Sequence, residues 1–188
     1  MGQPEQEDNL TGLIAAIDTK KLVVANSLIQ TIRSDDLGKQ YEHGNTALIK
    51  AIKTDQLNIA KLLIDKMCTK DLAIQDNDGD TALITAIEWW KPDIATLLIK
   101  KMGPEGLVIE NRYGKTALIS AIETGQPEIA KHLIQTMGPE DLAIKNNDGK
   151  TALMIANESR QPGIAALVDE KINSQPRLGA SNTGTAAG

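Results

Sequence analysis

The chain has no phenylalanine, a single cysteine and only two histidines among 188 residues. With aromatic residues at 2%, any core must be built from aliphatic side chains. One cysteine, Cys68, excludes an internal disulfide and fits a reducing compartment. Two histidines and one cysteine are too few for a structural metal site, so no metal or other cofactor is expected. No apolar run approaches the roughly 18 residues of a membrane span, so no membrane association is expected. The first residues lack a basic segment followed by an apolar stretch, so no secretory signal is expected. Met1-Gly2-Gln3 hints at myristoylation, but that pattern wants Ser or Thr where Gln6 stands. A net charge of −5, with Lys and Arg scattered among acids, leaves no cationic stripe to follow phosphates, and nucleic acid is not an expected partner.

What is present is a repeat. Gly44-Asn45-Thr46-Ala47-Leu48-Ile49 returns as Gly79-Asp80-Thr81-Ala82-Leu83-Ile84, as Gly114-Lys115-Thr116-Ala117-Leu118-Ile119 and as Gly149-Lys150-Thr151-Ala152-Leu153-Met154, 35 residues apart each time. One further step back reaches Thr11-Gly12-Leu13-Ile14, a weaker copy with Asn9 at the glycine position. Five units follow: 9–43, 44–78, 79–113, 114–148 and 149–172. Residues 1–8 and the Gly/Ala/Ser/Thr-rich tail 173–188 bury too little apolar surface to fold and are expected to be flexible.

Within a unit the apolar positions follow helical spacing twice, as in Leu83, Ile84 and Ile87 and then Ile94, Ala95, Leu98 and Ile99. Each unit is therefore a helical hairpin. Thr46, Thr81, Thr116 and Thr151 are placed to cap the first helix, and Pro92, Pro127 and Pro162 suit the first turn of the second. Gly103-Pro104 and Gly138-Pro139 are expected to stop the second helix, the glycine in a left-handed conformation. Short extended stretches, Leu72 to Ile74, Leu107 to Ile109 and Leu142 to Ile144, are then expected to lead into projecting turns such as Asn77-Asp78-Gly79. At the ends, Asn157 and Asp169 replace inner isoleucines, and Ser27 replaces an inner leucine, as water-facing caps.

These residues resemble ankyrin repeats. Thr-Ala-Leu-Ile matches the family's Thr-Pro-Leu-His at two of four positions, Ile129 to Ile134 is similar to its second-helix pattern, and Gly125 alone keeps the inter-helix glycine. Ala stands for Pro and Ile or Met for His, and the period exceeds the usual value of about 33. The two extra residues are expected in the Gly-Pro-Glu segment. The resemblance implies an all-α solenoid with projecting, hairpin-like fingers, and binding of another protein by finger tips and first helices along a concave groove.

Catalysis is not expected: His43 and His132 fall at unrelated positions, with no partner nearby in sequence for a triad. Carboxylates in the Asn-Asp-Gly turns resemble fragments of calcium loops without the closing Glu, and turn formation explains them. The groove positions implied by the family include His43, Asp78, Asp80, Glu88, Arg112, Lys115 and Glu123. Trp89-Trp90 stands out among them, because the matching pairs are Thr19-Lys20, Thr54-Asp55, Thr124-Gly125 and Ser159-Arg160. Exposed tryptophan is typical of interface anchors; the alternative is a ring folded over a neighbouring inter-helix loop. Tyr113 likewise replaces His43, Asp78 and Asp148 at a finger tip. The expectation is a monomeric, cytoplasmic protein-binding module centred near Trp89 and Tyr113. Two alternatives are an effector that an intracellular bacterium secretes through its tail, and a structural spacer without a groove partner.

Overall fold

The computed structural model describes residues 4–174. Five helical hairpins follow in order: α1 (Pro4–Asp18) with α2 (Leu22–Thr31), and α3 (Ala47–Lys53) with α4 (Leu57–Lys66). After a helical turn, α5 (Thr69–Leu72), come α6 (Ala82–Glu88) and α7 (Pro92–Lys101). A second such turn, α8 (Pro104–Leu107), precedes α9 (Ala117–Glu123) and α10 (Pro127–Thr136), and α11 (Ala152–Glu158) with α12 (Pro162–Asn173) closes the array. First helices stack on first helices and second on second, which makes a two-layered, all-α solenoid. No strand forms among the described residues, and the fingers are turns with one isolated bridge, Lys145 to Thr151.

The layers are held by aliphatic rows that repeat with the period. Leu48, Leu83 and Leu118 are buried, as are Ile52, Ile87 and Ile122 behind them, and Leu63, Leu98, Leu133 and Val168 in the second layer. Burial of each such side chain contributes about 1.5–3 kcal/mol. The threonine caps form as expected, their hydroxyls accepting from the backbone N–H of Ile49, Ile84, Ile119 and Met154. Lysines reach across units: Lys66 donates to the carbonyls of Ile29 and Gln30, and Lys101 to those of Ile64 and Asp65. Both place a cation on carbonyls that the preceding helix leaves unpaired.

Several local expectations need correction. Gly103 is extended (φ −74°, ψ 166°), and Gly138 is not left-handed either. The second helix has already ended one residue earlier, at extended Met67, Met102 and Met137, whose side chains enter the core. The left-handed residue sits instead between the helices, at Lys20, Asp55, Trp90, Gly125 and Arg160. There the Asp55, Trp90 and Gly125 amides, and those that follow them, bond back to the first helix in a Schellman arrangement. The stretches expected to be extended begin instead as helical turns, α5 and α8, with a 3₁₀ turn at Asp141–Ala143. A helical turn folds Leu72, Leu107 and Leu142 into the core, and that burial outweighs the strand-like composition. At the N-terminus α1 begins at Pro4, inside the segment expected to be flexible, and it runs through Asn9 without a finger turn. Proline at a first turn followed by Glu5, Glu7 and Asp8 suits a helix start. Residues 175–188, most of the tail, lie outside the described residues.

Asn157, Asp169 and Ser27 face solvent at the array's ends. The cover is incomplete, since Met154 is 51% exposed where Ile49, Ile84 and Ile119 are buried, and Val23 on α2 is 82% exposed.

Candidate partner-binding groove

The fingers form a hydrogen-bonded row. Asp76, Asn111 and Asn146, one period apart, are buried at the finger bases, and each side chain accepts from the amides two and four residues on. This is the Asx turn that a short polar side chain builds. Tyr41 holds that position in the first finger and lacks a matching acceptor. The finger becomes a 3₁₀ turn, Glu42–Gly44, with His43 left-handed at φ 60°. Burial, with help from Asp18 and Glu42, pushes the Tyr41 hydroxyl well above its ordinary range.

Successive fingers are tied by backbone bonds, from Asn77 N–H to His43 O (2.9 Å), Arg112 N–H to Asp78 O (3.0 Å) and Asn147 N–H to Tyr113 O (3.1 Å). The Gln40 and Gln75 amides add a second rail, each bonding its own finger and the next. Close approach explains the finger glycines. A Cβ on Gly79 would lie 2.7 Å from the Arg112 nitrogen, and one on Gly114 2.8 Å from the Asn147 nitrogen. None of Asp76, Asn111, Gln40 or Gln75 was singled out from sequence, although the Asp/Asn/Asn recurrence at one register was a readable signal.

Most of the expected groove residues are brought together. Arg112 pairs with Asp78 at 2.6 Å, donates to the Tyr113 hydroxyl at 2.6 Å and lies 4.8 Å from the Tyr113 ring centre. Lys115 lies 5.7 Å from that ring and pairs with Glu123 at 2.6 Å. Such cation–ring contacts at exposed sites contribute about 0.5–1 kcal/mol. Asp80 accepts from Asn111 at 2.9 Å. Desolvation raises its carboxyl above the ordinary range, and Glu88 is raised by the same cause, with Asp80 adding repulsion. His43 stands exposed on the preceding finger.

The tryptophans part company. Trp89, the C-cap of α6, follows Glu88 in the chain and is 50% exposed. Trp90 is left-handed (φ 53°) and 61% exposed, and it lines a hollow of about 300 Å³ with Pro92, Thr96 and the next unit's loop, Gly125 to Pro127. That loop edge, at the helix end that Trp89 caps, lies opposite the fingers, about 10 Å away along the first helix.

Asp76, Asp78 and Asp80 cluster closely enough to suggest a cation, but both Asp76 oxygens are engaged. One accepts the two turn amides, and the other pairs with Lys53 at 2.8 Å. The Cys68 thiol donates to Asp71 at 2.9 Å, and that bond raises its pKa, away from a reactive thiolate.

Helical hairpins stacked at a fixed period behind a bonded row of fingers define a repeat solenoid. The family model for ankyrin repeats (three copies) matches residues 13–108 and 105–177, and the chain belongs to the ankyrin repeat family. It is similar to the crystal structure of EF0377, an ankyrin repeat protein, with a TM-score of 0.60 and 22% identity over 86% of this chain and 98% of that one. At that identity the likeness carries the fold alone. No curated protein matches the chain. Ankyrin repeats are protein–protein interaction modules and typically not enzymes. No described helix is long and apolar enough to cross a membrane.

Proposed function

We propose that this chain binds a partner protein along the concave groove of its middle units, with Trp89 and Tyr113 as anchors and Asp78, Arg112, Lys115 and Glu123 around them. One observation carries the reading: Trp89 and Tyr113 are each half exposed at registers where every other unit has a small, polar or charged residue. The scaffold asks for no aromatic there, so the rings are free to serve a partner, and buried interface tryptophans are commonly worth about 2 kcal/mol or more. Trp90 belongs to the loop edge and is not an anchor in this reading. The module acts as a monomer in a reducing, cytosol-like compartment and needs no cofactor; the one thiol, bonded to Asp71, suits that setting.

The test is a pulldown with the wild type beside a Trp89→Ala/Tyr113→Ala variant, after circular dichroism shows both folded. A prey retained by the wild type and lost by the variant supports the groove. Identical prey with both, or none with either, favours a spacer without a groove partner.

A further inference from the structure

The units differ in how they neutralise the groove. In the second, fourth and fifth, the residue after the finger glycine reaches the residue eight further on. Lys53 Nζ donates to Asn45 Oδ1 at 3.0 Å, Lys115 pairs with Glu123 at 2.6 Å, and Lys150 pairs with Glu158 at 2.6 Å. The third unit departs from this pattern: the two positions are Asp80 and Glu88, two carboxylates with no cation between them.

Neighbouring cations do not make up the deficit. Lys53, which feels Asp80, is held by Asp76 and Asn45. Lys115, which feels Glu88, is held by Glu123. Among the described residues neither Asp80 nor Glu88 has a cation at ion-pair distance, and the one side-chain bond to Asp80 comes from the neutral amide of Asn111. Desolvation is the leading cause that raises both carboxyls, and although Asp80 is only partly buried and Glu88 stays exposed, the fold sets no cation in contact with either.

The complement is a cation brought from outside. It would occupy the place that Lys115 and Lys150 fill in their own units, and the half-exposed Trp89 indole, next to Glu88 in the chain, is the nearest aromatic in sequence that could meet its methylene stem or guanidinium plane. An acidic segment would add a third negative charge to an uncompensated pair. We propose that the third unit of the groove takes a lysine or arginine side chain from a basic segment of the partner protein, which rests on the groove reading given above.

The test selects binders to the full chain from a random-peptide display library, then titrates a labelled selected peptide against variants. Asp80→Lys rebuilds the internal pair of the fourth and fifth units, so it should fold with an unchanged or higher melting temperature. Selected peptides should carry Lys or Arg at a fixed position, and Asp80→Lys should weaken binding about tenfold or more. Glu88→Gln, which removes a charge without adding one, should weaken it less, and raised salt should weaken wild-type binding in step. Selected peptides without a basic residue, or binding indifferent to both variants yet lost in Trp89→Ala/Tyr113→Ala, would overturn this inference and leave the groove reading standing. No selected peptide, or binding that survives the double aromatic variant, would overturn both.

Discussion

The third and fourth units share a scaffold and differ where the scaffold is indifferent. Both have a capping threonine, a buried Leu-Ile pair, a left-handed finger glycine and a proline opening the second helix. In the fourth, Lys115 neutralises Glu123, and Gly125 takes the left-handed loop position. In the third, Asp80 faces Glu88 unneutralised, and Trp90 takes that same loop conformation with a side chain that resists it. An L-residue pays about 1 kcal/mol for a left-handed backbone. The left-handed loop residue is common to all five units, with Lys20, Asp55 and Arg160 bearing the same cost as Trp90; what sets the third unit apart is the Asp80–Glu88 pair, a local cost that the fold does not require. Costs of that kind mark positions kept for something other than folding.

The largest expected effect should not distinguish the two units at all. Gly79→Ala and Gly114→Ala each combine a left-handed backbone with a clash against the next finger's backbone, and each is expected to cost about 2 kcal/mol in urea unfolding. A large difference between them would break the claim of a shared frame. The next effect should reverse sign between units. Trp90→Gly is expected to stabilise the chain by about 1 kcal/mol, less what the indole gains in its hollow, whereas Gly125→Ala, with open space around its Cβ, should destabilise it by about the same amount.

The smallest effect depends on pH. Asp80 and Glu88 hold protons more tightly folded than unfolded, so their ionisation costs stability as pH rises through the folded values. That cost is absent below the ordinary carboxylate range of about 4. Glu88→Gln is therefore expected to raise the melting temperature slightly near neutral pH, with the gain fading as pH falls toward about 4. A gain that grows on acidification would contradict the assignment.

Much of this was legible because the repeats control for one another. The period, the four threonine caps, the three first-turn prolines and the isoleucine rows each recur at one register, so a single sequence behaves like a small alignment. What escaped was local competition that propensity does not resolve. Leu107-Val108-Ile109 has the composition of a strand, yet burial of Leu107 favours the turn α8. Gly103 looked like a left-handed stop because glycine usually is one there, but Met102 had already left the helix to fill the core. At the groove, the residue choices of Asp80 and Glu88 were visible, and their significance was not. It emerges only when Lys115 and Lys150 are seen reaching their own glutamates across the same gap.

The most direct test of a specialised third unit on a common frame converts it to the fourth with Asp80→Lys/Trp89→Thr/Trp90→Gly, and compares thermal unfolding and peptide capture with the wild type. The account predicts a melting temperature equal to or above the wild type's, with capture lost. A clear fall in stability with capture intact would show that these residues hold the fold together and that the binding centre lies elsewhere.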